Sequence, residues 1–115
     1  MEIIREKVPI AKLKEMAEKM FGNLVKAVVD VRKKVIAIEG ELHSDLEAYL
    51  LENGSEQKDI WGINLYPYQD RDNFIEYTAL VNIRPHQGNR SMEIEDFDLR
   101  KKIEKIVFKL IGYET

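Results

Sequence analysis

The chain has 115 residues, 44% apolar and 34% charged, which suits one soluble globular domain spanning residues 1–115 and argues against intrinsic disorder. Its 18 lysines and arginines against 21 acids leave a net charge of −3, so binding to nucleic acid has no general electrostatic basis and would need a local patch. The absence of cysteine excludes disulfides, thiolate zinc sites, iron–sulfur clusters and thiol nucleophiles.

The opening MEIIREKVPI carries glutamates but no long apolar run, so neither a secretory signal nor a membrane anchor is expected and the protein reads as cytoplasmic. Residues 2–6, EIIRE, suit a short edge strand. Pro9 fits the first turn of a helix, and Ile10, Leu13, Met16, Ala17, Met20 and Phe21 recur at helical spacing until Gly22. Leu24 to Val31 and Val35 to Leu42 are rich in β-branched residues and read as a hairpin closed by RKK. Ser44 and Glu47 have the spacing of a capping box, which predicts a helix from Asp45 to about Asn53, closed by Gly54. Ile60 to Tyr66 and Phe74 to Arg84 predict a second strand pair joined by the polar PYQDRDN. Asp96 can cap a last helix with an apolar stripe of Leu99, Ile103, Ile106, Val107 and Leu110. Arg100, Lys101, Lys102, Lys105 and Lys109 occupy its remaining surface, most simply as a solvated face.

The order (β)αββαββα predicts an α+β two-layer sandwich, a four- or five-stranded sheet with helices mainly on one face. Three blocks, GELHSDLEAYLLENGS at 40–55, WGINLYP at 61–67 and VNIRPHQGNRS at 81–91, resemble a family of small uncharacterised bacterial and archaeal proteins, a domain of unknown function. The resemblance implies a common fold unit and no particular chemistry. It also implies a serine in many relatives where this chain has His86, which weighs against a catalytic role for that residue.

The candidate site begins with Asn64 and Asn82, polar residues inside apolar strands, which with Arg84 are expected to share one face. Arg84, Gln87, Gly88, Asn89, Arg90 and Ser91 extend it: no carboxylate lies between Tyr77 and Met92, and Gly88 and Asn89 tolerate the positive φ of an anion-binding nest. These residues predict a site for a small anionic, phosphate-bearing ligand, with no cofactor. The competing structural reading has the arginines paired with Glu93, Glu95, Asp96 or Asp98. A second cluster, Glu41, His43 and Asp45, suggests a metal-independent hydrolase or transferase in which His43 is the base, oriented by either carboxylate, and Arg84 and Arg90 stabilise negative charge. A third reading is a protein–protein contact, as monomer or homodimer. Two separated histidines without a ligand-spacing motif predict no metal site, and no P-loop, GxGxxG or nucleophile elbow is present.

Overall fold

A computed structural model describes residues 1–112. Its strands are β1 (Glu2–Ile4), β2 (Val8–Pro9), β3 (Val25–Asp30), β4 (Val35–Ile38), β5 (Ile60–Leu65), β6 (Ile75–Glu76) and β7 (Ile111–Gly112); its helices are α1 (Ile10–Lys19), α2 (His43–Glu52) and α3 (Phe97–Leu110). The main sheet has the order β1-β4-β3-β5-β6 and every neighbouring pair is antiparallel. The α+β class and the five strands agree with the sequence pattern. A parallel pairing of β2 with β7, which the sequence did not signal, ties the start of α1 to the end of α3.

Alternation along the strands divides the core. Val25, Ala27 and Val29 of β3, Ile36 and Ile38 of β4, and Trp61, Ile63 and Leu65 of β5 face the buried stripes of α1 and α3. The intervening Val28, Val35, Ala37 and Ile60 face α2 through Leu46 and Leu50. Two helices therefore form the main layer, and α2 covers part of the opposite face. Each fully buried aliphatic side chain contributes roughly 1.5–3 kcal/mol.

Local chemistry explains the boundaries. Gly22 stops α1 with φ +89°, donating its N–H to the Ala17 carbonyl at 2.6 Å. Asp30, fully buried, organises the β3–β4 turn: Oδ1 accepts the Arg32 and Lys33 amides at 2.9 and 2.8 Å, and Oδ2 accepts the Ser55 hydroxyl at 2.6 Å. Asp96 caps α3 as the sequence suggests, accepting from the amides of Asp98 and Leu99.

Three expectations need correction. The Ser44–Glu47 capping box does not form: α2 begins at His43 with Leu42 in the cap position and no side-chain cap, because Glu47 is drawn to Arg84 at 3.1 Å. The strand expected to run to Leu42 ends at Ile38, where Glu39 takes φ +70° and Gly40 passes under Leu46 so closely that a Cβ would lie 2.9 Å from its Cγ. The strand expected over 74–84 is only Ile75–Glu76. Beyond it the chain makes short 3-10 turns at Leu80–Asn82 and Pro85–Gln87, because the polar groups of Asn82 and Arg84 turn inward and replace strand pairing with side-chain bonds.

Candidate functional site

The polar loop is held by its own residues. Asn82, fully buried, pairs with Gly62 as a neighbouring strand would: its Oδ1 accepts the Gly62 amide at 2.8 Å and its Nδ2 donates to the Gly62 carbonyl at 2.9 Å. Gly62 permits this approach, since a Cβ there would lie 2.6 Å from the Ala79 Cβ. Arg84 is 2% exposed. Its guanidinium donates to the carbonyls of Val81 and Gln57 and to Glu47, and stacks on Trp61 with 4.6 Å to the ring centre. Asn89 Nδ2 donates to the carbonyls of Asn82, Ser91 and Glu93, and its Oδ1 accepts the Glu95 amide. Gln87 reaches the Lys58 carbonyl, and Gly88 supplies the left-handed turn at φ +82°.

A nest of amides does form, and the chain fills it from within. Glu95 Oε2 accepts the amides of Arg90 and Ser91 and the Ser91 hydroxyl, each at 2.9 Å. These bonds hold the Glu95 carboxyl below the usual carboxylate range, the Ser91 hydroxyl contributing most. Arg90 itself is exposed.

The second cluster opens on a different surface. Where α2 begins, its face of the sheet is left uncovered, and a hollow of about 400 Å³ remains beside Lys26 of β3, Asn64 of β5 and the segment 78–81. His43 and Ser44, the first two residues of α2, line it, and Leu42, Leu80 and Met92 bring exposed apolar surface to its rim. His43 Nε2 lies 2.8 Å from the Ile63 carbonyl. A carbonyl only accepts, so Nε2 carries the proton and Nδ1 is left as an acceptor. Burial pushes the His43 pKa below its usual 6.5, aided by the charge of Lys26 and opposed by the Ile63 carbonyl and the Asn64 side chain, so the ring is neutral near pH 7.

Neither expected carboxylate orients the ring: Glu41 gives its backbone carbonyl to Lys26 Nζ at 2.9 Å, and Asp45 is exposed in the first turn. Asn64 donates to Glu76 at 2.8 Å and to the Thr78 carbonyl at 3.3 Å, while its buried Oδ1 has no partner among the described residues. Tyr66 also donates to Glu76, at 2.9 Å, so that carboxylate is already held by two donors. The hollow thus unites His43 with Asn64. Asn82, Arg84 and the 87–91 segment do not line it; Asn82, Arg84 and Asn89 are buried in the loop's own hydrogen bonds. Lys26, Ser44, Tyr66 and Glu76 had not been singled out as lining residues; the signal was the two-residue alternation that puts Lys26 on the face of Val28 and Tyr66 on that of Asn64.

Residues 2–110 match the family described as Protein of unknown function (DUF5674). The chain belongs to this family. The match spans all three helices and the five-stranded sheet, so the hollow and the packed loop both lie within the family's domain. No curated protein and no solved structure matches the chain. No described helix is long and apolar enough to cross a membrane, and no cluster of three or more metal-ligating residues occurs among the described residues.

Proposed function

We propose that this family member is a binding module for a small anionic ligand, held in the hollow with its charged group at the amino end of α2. The observation that carries the reading is a ten-residue helix that starts without a side-chain cap and opens on a hollow beside a lysine. Uncapped amides and the helix dipole favour an anion there. Lys26 adds charge and Ser44 a hydroxyl. The apolar rim at Leu80 and Met92 suits a hydrocarbon body, and the volume lies within the range of small-molecule sites.

Titration with phenyl phosphate, followed by amide NMR, tests the proposal. The signals of His43 and Ser44 should move first, and Lys26→Glu should weaken binding about tenfold, a 1.4 kcal/mol effect. Unmoved His43 and Ser44 amides, or equal affinity in the variant, would sink it.

A metal-independent hydrolase or transferase is the second reading, favoured by the neutral His43 whose Nδ1 can take a proton. In this reading Lys26 and the helix amides take the charge-stabilising part, since Arg84 is bound to Glu47. Its variant is His43→Gln, which keeps an N–H for the Ile63 carbonyl and lacks the basic nitrogen.

A further inference from the structure

A second concavity lies away from the hollow. It has a volume of about 700 Å³ and runs between the carboxyl-terminal half of α3 and the β3–β4 turn. Its walls bring together Lys102, Lys105 and Lys109 from α3, Lys33 and Lys34 from the turn, and Arg5 after β1, with no carboxylate among the described lining residues. Val31, Ile106 and Leu110 form an aliphatic floor.

The chain as a whole is negative, so this concentration of one sign is a local arrangement. Among the described residues, the side chains of Arg5, Lys34, Lys102, Lys105 and Lys109 make no hydrogen bond or ion pair. Lys33 Nζ alone leans on a carbonyl, that of Asn53 at 3.3 Å. Lys34 adopts φ +58°, a conformation that favours glycine or asparagine, yet a lysine stands there.

We infer that this groove binds a linear oligophosphate. The cations do not converge on a point: Lys102 and Lys109 are seven residues apart on one helix, about 10 Å along its axis, and the turn supplies a facing row. A single phosphate could touch only part of such an array, whereas a chain of phosphates meets it along its length. Among the described residues no aromatic side chain lines the groove, so they offer bases nothing to stack on. The cations rim a concavity instead of a flat or convex surface, which fits a thin chain better than a bilayer.

Calorimetry with inorganic phosphate, pyrophosphate, tripolyphosphate and long-chain polyphosphate tests the inference. Affinity should rise at least about tenfold from phosphate to tripolyphosphate, and Lys34→Glu/Lys105→Glu should cost at least about tenfold. Lys19→Glu/Lys58→Glu, the same charge change outside the groove, should leave affinity intact. Amide shifts in the wild-type protein give a readout independent of the variants, and should cluster at Lys34 and along 102–109. A flat response along the series, shifts confined elsewhere, or undiminished binding by the groove variant overturns the proposal. So does preference for oligouridylate, or for phosphatidylserine vesicles, over tripolyphosphate. Shifts at His43 and Ser44 with phenyl phosphate report separately on the hollow, so either proposal can fail alone.

Discussion

The imidazole of His43 is half-buried against β5, with Lys26 and Asn64 the charged and polar groups acting on it and Glu76 across the hollow. Burial, the largest influence, makes the folded protein hold a proton at this ring less readily than the unfolded chain does. The sign of the linkage follows: between the usual 6.5 and the lower folded pKa, the unfolded state binds more protons, so stability rises with pH. The contribution of the neutral ring is complete above pH 6.5 and is lost as pH falls through the folded value. Urea unfolding on either side of pH 6.5 should therefore show a lower midpoint on the acid side, and His43→Gln should reduce that difference. An unchanged acid loss in the variant would assign it to other groups. The same burial makes His43 the stronger functional candidate of the two histidines, because His86 is exposed on the turn that closes the loop.

At the scale of elements, the segment from Tyr77 to Ile94 acts as a plug on the open edge of β5. It closes on itself through the Thr78–Glu93 and Arg84–Asn89 bridges and reaches the sheet through Asn82 and Arg84. Removing the guanidinium leaves the carbonyls of Val81 and Gln57 without their donor and Glu47 without its cation, and it strips Trp61 of a stacking partner. Arg84→Ala should accordingly cost about 3–5 kcal/mol in chemical denaturation, the range for breaking a buried pair. A loss under about 1 kcal/mol would mean the guanidinium is an accessory to the fold, of the kind expected for an exposed ion pair. The helices were legible because their signals are local: the stripes of α1 and α3, Gly22 and the Asp96 cap sit within a few residues of what they control. The plug was not. Tyr77, Ala79, Val81 and Ile83 alternate as in a strand, while the deciding bonds run from Asn82 to Gly62 and from Arg84 to Gln57 and Glu47, at least 20 residues away. Likewise, the absence of carboxylates up to Met92 gave the loop its anion-binding character, and Glu95, just beyond, occupies the nest.

For the whole molecule, the legible part of the candidate site was His43 with Asn64, two polar residues in otherwise well-patterned elements that the antiparallel sheet brings to one hollow. The basic groove was hidden because its two walls come from opposite ends of the chain, Arg5 to Lys34 and Lys102 to Lys109, and each lysine in isolation reads as solvated surface. Assembling them has an energetic consequence. Lys105 has like-charged neighbours at Lys101, Lys102 and Lys109, spaced three or four residues along α3, and each such pair costs about 0.2–0.5 kcal/mol. No described ion pair neutralises Lys102, Lys105 or Lys109, so repulsion within this row opposes folding slightly, as a site kept for a ligand would. Lys105→Glu replaces repulsion with attraction, including the favourable order of glutamate four residues before Lys109, and should stabilise the free protein by about 0.5–1 kcal/mol at low ionic strength. The gain should fade in molar salt, where the Debye length shrinks to about 3 Å. The same variant should lose tripolyphosphate binding, so thermal melts with and without that ligand should rank the two proteins in opposite orders. If Lys105→Glu is less stable than wild type in the absence of ligand, the lysine supports the fold, and the groove's charge needs a structural account.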